Sequence, residues 1–490
     1  MIHPRTYSSA KKSGGLFAAA LLTSSLISSL AGDVEVKATS DKTVIEKPAE
    51  SNPLSFFDGK LVFDLQERLR WENRNNNFDF NSATRSVTDG NWFEQRFRIG
   101  MMVQPVEWLH LYVQGQDSRE FNGLRGNTPG VNAAEGDDAF DLRQAYIEIS
   151  DYDKCPFGLK VGRQVLSYGD ERLVGGFDWN NLSRTFDAAK VTYKGHGFWI
   201  DAFTSTPVVM TRDKFDQSDL FNGTGDHRKL VFSGLYLSMD SLPFGTWDFY
   251  SFLLDQPRGN TTNLQGNLTT KLPTGSLDAH SDFVTLGTRI KGDPQKLKGW
   301  EYTGEFAYQA GDVRGLPLNA FAADAGFGYN FDVAWKPRLY AEYNYASGDN
   351  DPTDGHIGTF QNLFPTNHRF FGIMDNFSWQ NMHNAMLSVR VNPVKALTAE
   401  VQYNAFWLAS DSDVWYRANG LNAVRPLSSV GGRNVSNYAG SEISAVVTWN
   451  ANKHLQFQAG YAHFFAGNYL KDTGASDDAN FGYIQTTINF

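Results

Sequence analysis

The sequence predicts an all-β chain, a transmembrane antiparallel up-and-down β-barrel of about 18 strands with short periplasmic turns and long extracellular loops. Three observations predict it. Apolar and polar residues alternate with period 2 along one segment after another. Short connections alternate with long polar ones. The final segment, from Phe481 to Phe490, is one more alternating strand that stops on an aromatic ring.

Composition supports a barrel over a helical membrane protein. Only 41% of the 490 residues are hydrophobic and the mean hydropathy is -0.40, so no stretch beyond the N-terminus reads as a membrane helix. A barrel gives lipid one face of each strand and water the other, which dilutes hydropathy to near that of a soluble protein. At the start, Lys11 and Lys12 precede an apolar run from Leu16 to Leu22 that fades into Ser29-Leu30-Ala31. Residues 1–31 therefore read as a signal peptide. Residues 32–57 lack periodicity and read as a flexible periplasmic lead-in, leaving 58–490 for the barrel. Cys155 is the only cysteine, which excludes an intrachain disulfide and a cysteine-built metal site. A net charge of -10 argues against a nucleic-acid partner, although it says nothing of the lumen.

The strands can be taken in order. Leu61, Phe63, Leu65, Leu69 and Trp71 alternate with Asp64, Gln66, Arg68, Arg70 and Glu72, broken once by Glu67. Phe93, Phe97, Ile99, Met101 and Val103 alternate with Glu94, Arg96, Arg98 and Gln104, and Leu109, Leu111 and Val113 with His110, Tyr112 and Gln114. Near the other end, Leu397, Ala399, Val401, Tyr403 and Trp407 stand against Thr398, Glu400, Gln402 and Asn404. Each reads as a strand with one apolar and one wet face. Connections such as Pro105-Val106-Glu107, Lys194-Gly195-His196 and Asn450-Ala451-Asn452 are short. Those from Asn73 to Asn91, Arg119 to Phe140, Thr204 to Arg228, Gln256 to Ser281, Gly348 to Met382 and Ala409 to Ala439 are long. A soluble sandwich has no reason to keep that alternation, which places turns and both termini on the periplasmic side.

Two stretches are similar to the alginate export family of outer-membrane proteins. The first runs from Leu142-Arg-Gln-Ala-Tyr146 through Val161-Gly-Arg-Gln-Val165, Tyr168-Gly-Asp-Glu-Arg-Leu-Val-Gly175 and Phe177-Asp-Trp179 to Arg184-Thr-Phe-Asp187. The second contains Leu363-Phe-Pro-Thr-Asn-His368, Phe371-Gly-Ile-Met-Asp375, Asn381, Ala405-Phe-Trp-Leu-Ala409 and Asp411 to Tyr416. The resemblance implies a single-chain barrel with an electropositive constriction that passes an anionic uronate polymer out of the periplasm. It also implies an inward fold of the connection that carries Arg172 and Arg184, and a periplasmic export scaffold as a partner.

An anionic polysaccharide carries a carboxylate on each sugar, and fixed guanidinium forks on a channel wall grip such groups. Several weak sites in series allow release. Strand phasing sends Arg68, Arg70, Arg96, Arg98, Lys160, Lys190, Arg289, Lys291 and Arg390 toward the lumen, together with Asp64, Glu94, Glu148, Glu301, Glu305, Glu342 and Glu400. Each cation has an equal claim to being half of a wall ion pair. Arg163 conflicts with simple alternation from Phe157, Leu159 and Val161, and needs a bulge near Gly162, or inverted phasing of this strand, to reach the lumen. The expected pore-lining set is Arg68, Arg70, Arg96, Arg98, Arg163, Arg172, Arg184, Lys190 and Arg390. Trp179, Phe186, Trp407 and Trp415 are either sugar platforms or, with about twice the weight, girdle and packing residues.

No cofactor is indicated. The run Asp349-Asn-Asp351-Pro-Thr-Asp354-Gly355 lacks the closing Glu of a calcium loop and reads as an Asx-rich turn. His368 and His383 lack metal-ligand spacing, and no nucleophile elbow is present. The expected partners are outer-membrane lipid and an anionic polysaccharide or oligosaccharide. A porin for small sugars or organic anions is the second reading and a barrel-embedded hydrolase a distant third. Oligomeric state and transport direction are not legible.

Overall fold

The computed structural model describes residues 53–84, 89–123, 137–210, 215–218, 230–256, 280–420, 423–426 and 435–490. The expected signal peptide and most of the lead-in lie outside them. Among the described residues, twenty strands belong to one sheet system, and two of these, β1 (Ser55–Phe56) and β9 (Gln217–Ser218), have only two residues. The remaining 18 form the wall. They are β2 (Leu61–Asn75), β3 (Gly90–Val106), β4 (Leu109–Phe121), β5 (Asp138–Ser150), β6 (Phe157–Gln164), β7 (Phe186–Gly195) and β8 (Phe198–Val209), then β10 (Val231–Leu242), β11 (Gly245–Gln256), β12 (Ser281–Gly292), β13 (Trp300–Val313), β14 (Leu316–Asn330) and β15 (Arg338–Ala346), and finally β16 (Met382–Val394), β17 (Leu397–Trp407), β18 (Tyr438–Asn450), β19 (Leu455–Ala466) and β20 (Ala479–Asn489).

Each wall strand pairs antiparallel with the next, β8 bonds directly to β10, and β20 returns to β2 from Gln66 opposite Asn489 to Asn75 opposite Asn480. Closure leaves the wall no free edge, which is what lets strands sit in lipid. Trp71, Ile99, Met101, Val113, Ile147, Leu387 and Ile484 point outward and are exposed, while Arg68, Arg70, Arg96 and Arg98 point inward and are buried. The period-2 rule thus holds at these positions of β2 and β3. Described residues contain no helix long and apolar enough to cross a membrane.

Turns and loops segregate to opposite ends. One loop-side connection is short: Arg314 and Gly315, both at positive φ, close β13 onto β14, the backbone pattern of a tight hairpin turn. The long connection after β15 leans on that hairpin instead. Asn319 donates to Ile357 O and Ile357 N to Pro317 O.

The long connections do not all face outward. Residues 165–185 and 347–381 turn into the bore and bond to each other through Gly175 N to Phe364 O (2.8 Å), Phe364 N to Leu173 O (2.8 Å) and Thr366 N to Glu171 O (2.9 Å). Phe364, Phe371 and Trp379 from the inner loops, and Trp415 from the connection after β17, are buried with Phe232, Phe252, Phe406 and Phe464 of the wall. Burying these rings against one another removes apolar surface from water and fixes an inner plug. Its depth can be read along β17. Thr398, Glu400 and Gln402 near the turn end remain partly accessible, whereas Asn404 and Phe406 nearer the loop end are buried.

Candidate functional site

The most concentrated chemistry lies where the inner loop 165–185 meets β2 to β5. Alternation along β2 aims Arg68, Arg70, Glu72 and Arg74 inward, and along β3 it aims Glu94, Arg96 and Arg98 inward. Antiparallel register sets Arg68 opposite Arg96 and Arg70 opposite Glu94. The loop then delivers Asp178 into this group.

Arg96 reaches one Asp178 carboxylate oxygen at 3.0 Å and Arg98 the other at 2.8 Å, with Arg143 at 3.9 Å. Arg68 donates to the Asp178 carbonyl (2.8 Å) and to Asn181 Oδ1 (3.1 Å). Arg98 also donates to Gln116 Oε1 (2.6 Å) and Ser183 Oγ (2.8 Å). Burial alone would push the Asp178 carboxyl up, but the guanidiniums of Arg96, Arg98, Arg143 and Arg68 together hold it well below the usual carboxylate range. Asp178 is still about a quarter exposed, while the guanidiniums of Arg68, Arg96 and Arg98 around it are buried.

Arg70 is fully buried between Glu72 and Glu94, donates to the Trp179 carbonyl (2.7 Å) and lies 4.1 Å above the Trp179 ring. His368 stacks on Trp179 at 3.8 Å between centroids and meets Asp375 through Nδ1 at 3.0 Å. Arg74 continues the ladder, 3.3 Å from Glu72, over the Phe481 ring and bonded to the Met374 carbonyl (2.8 Å).

The same loop makes a second set of contacts with the wall. Asp170 meets Arg289 (2.9 Å) and Lys291 (2.7 Å) of β12, and Arg289 also pairs with Asp248. Arg172 meets Asp324 (3.2 Å), Glu342 (2.7 Å) and Asn344 (2.8 Å), with the Phe370 ring 4.0 Å from its guanidinium carbon. Burial opposes the charge on both loop residues. For Asp170, Arg289 and Lys291 more than offset it and hold the carboxyl well below its ordinary value. For Arg172, Asp324, Glu342 and Glu305 do the same in the opposite direction. Loop and wall are therefore complementary in charge at three points around the bore.

Among the sequence-predicted residues, Arg68, Arg70, Arg96 and Arg98 come together on one wall and Arg172 lies in the second set. Arg163 is inside: Gly162 at φ +127° turns the strand, and Arg163 pairs with Asp187 at 2.9 Å. There the β5–β6 and β6–β7 registers run without a slip, while the register shift falls in β5 at Arg143. Arg184 is tied by carbonyls of Gly175 (3.0 Å) and Pro365 (3.1 Å) rather than by the acids of its own loop, and burial lowers its guanidinium to about 10 against a pull upward from Glu171. Lys190 pairs with Asp201 at 3.2 Å, and half-buried Arg390 stands in register with Arg338 and Glu400; neither joins the Asp178 group. Phe186 of β7 and Trp415 are buried in the ring cluster between wall and plug, in keeping with the packing alternative rather than the sugar platform. The Asp349–Asp354 run closes on itself through Thr353 N to Asp351 and His356 N to Asp354, as an Asx-rich turn does.

Phasing missed two members. Arg74 shares the parity of Arg68 and Arg70 and was legible by extending β2 by one turn of the pattern. Arg143 was hidden by the irregularity in β5.

The family model described as alginate export matches residues 60–483. No match is found among curated proteins. Solved structures similar in fold include three outer-membrane channels of Pseudomonas aeruginosa. OpdK with vanillate has 10% identity and a TM-score of 0.57, covering 87% of this chain and 98% of its own. OccK9 (OpdG) has 12% and 0.56, covering 88% and 98%. OccK11 (OpdR) has 15% and 0.53, covering 88% and 96%.

Proposed function

The chain belongs to the alginate export family of bacterial outer-membrane barrel channels, and on that premise we propose that it passes an anionic, alginate-like polysaccharide outward by passive diffusion. The carrying observation is the guanidinium group around Asp178. Arg68, Arg70, Arg74, Arg96, Arg98 and Arg143 are six cations against four carboxylates, Glu72, Glu94, Asp178 and Asp375, which leaves an excess of two positive charges beside a partly exposed acid. A uronate carboxylate is chemically the group that Asp178 already presents. Guanidinium forks shaped for one are shaped for the other. Several such contacts in series, each shared with Asp178, are each weak enough to release, so a polymer can move from cation to cation.

A second reading, a porin for small organic anions, is favoured by the ring-packed plug inside the barrel, since a small carboxylate needs a narrower passage than a polymer. Planar-bilayer recording separates the two. Export of a uronate polymer requires anion preference and block of the current by uronate oligomers at lower concentration than by neutral oligosaccharides of equal length. Equal block by neutral sugars would remove the proposal. Anion preference with block by monomeric uronate but no gain with chain length would establish the porin reading.

A further inference from the structure

On the wall, β6 and β7 are short, with 8 and 10 residues against 13 in β5 and 12 in β8. The segment Phe215–Ser218 spans the gap above them. Its β9 pair bonds to β8 through Val208 opposite Ser218, Ser218 Oγ donates to Asp187 on β7 (2.5 Å), and Asp216 N donates to Asp141 on β5. The crossing brings three carboxylates together. Asp138, Asp141 and Asp216 each offer an oxygen within 4.8 Å of the others, and their residues are 6%, 8% and 7% exposed.

Like charges at this spacing repel, and their burial raises the cost. Asp141 is partly satisfied, since the backbone N–H groups of Leu142 and Asp216 donate to its two oxygens. Asp138 keeps one oxygen over: its Oδ1 is buried without a hydrogen-bond partner, and among the described residues neither Asp138 nor Asp141 has an ion pair with Lys, Arg or His. Hard oxygen donors of this kind, gathered on two chain segments with one oxygen left over, match the demand of calcium for several carboxylate and carbonyl oxygens.

We propose that Asp138, Asp141 and Asp216 bind a divalent cation, calcium by ligand chemistry, which fastens Phe215–Ser218 to β5 across the short strands. This assignment rests on the carboxylate triad and not on the transport reading.

Equilibrium dialysis of radioactive calcium against the detergent-purified, chelator-stripped full chain tests it. One ion per chain is expected, with a dissociation constant on the order of 10⁻⁴ to 10⁻³ M. Asp138→Asn removes the ligand with the unpartnered oxygen and should weaken binding about tenfold or more, with Asp216→Asn behaving alike. Asp351→Asn, in the self-bonded turn, should leave the stoichiometry intact. Retained heat-modifiable gel migration shows that each variant barrel is closed, and if Asp138→Asn fails that check Asp216→Asn decides. Absence of saturable binding at 1 mM calcium (about the upper end of that range), or wild-type affinity in the folded triad variant, would overturn the assignment.

Discussion

Asp178 occupies the point where Arg96, Arg98 and Arg143 converge, and on the proposed function its charge sets what those groups offer a passing anion. Replacement by Asn keeps the shape and removes one negative charge. At about 4 Å even fully aqueous screening leaves about 1 kcal/mol between unit charges, so Asp178→Asn should tighten block by a uronate oligomer roughly fivefold and raise anion preference. Unchanged block in bilayer recordings would show that the arginines only brace the loop. The pH dependence follows from the direction of the shift. Because the folded value is depressed, the stabilisation that ionised Asp178 gives its loop is present above the unfolded value of about 3.9 and is lost only as pH falls toward the folded one. The difference in current and selectivity between the wild type and Asp178→Asn should therefore stay level from about pH 7 to pH 4 at constant salt. A midpoint inside that window would contradict the paired geometry.

At the scale of the element, β6 shows how one residue orients a functional side chain. Gly162 adopts φ +127°, and a Cβ there would come 2.2 Å from the Ala145 carbonyl oxygen. An L side chain cannot take that conformation or that space without moving the strand. Gly162→Ala should cost about 1–3 kcal/mol, read as a lower urea midpoint in lipid vesicles, and should disturb the Arg163–Asp187 pair next to it. Wild-type stability would mean that the strand relaxes freely. The same strand marks the boundary of what the sequence reveals. In β2, β3 and β17 lipid and water impose opposite demands on neighbouring residues, so the inward arginines could be read from parity alone. Where a positive φ or a register shift intervenes, as at Gly162 and Arg143, parity loses its meaning. The partners of those arginines were illegible for another reason: Asp178 is 82 residues from Arg96 and 110 from Arg68. Loop-to-wall contacts at such separations leave no periodic trace. Phe186 and Trp415 were ambiguous likewise, since an aromatic carries the same pattern whether it faces a sugar or a plug.

For the whole molecule, the wall and the plug are held by different forces. The wall is a closed ladder of backbone hydrogen bonds, complete without the inner loops. The plug rests on ring packing and on ion pairs to the wall, of which Arg172 makes the densest set: Asp324, Glu342, Asn344 and the Phe370 ring. Removing one partner of a buried pair costs about 3–5 kcal/mol because the other charge stays behind. In Arg172→Ala two acids, Asp324 and Glu342, stay behind, both buried. That penalty falls on the docked plug, since undocking lets water reach the acids, whereas the strand ladder contains no Arg172 contact. Arg172→Ala should therefore raise mean single-channel conductance and the frequency of large openings, with heat-modifiable migration and the urea midpoint of the barrel close to wild type. A variant whose barrel midpoint falls while its conductance holds would show that loop and wall are one cooperative unit, and that passage through this channel does not depend on loosening the plug.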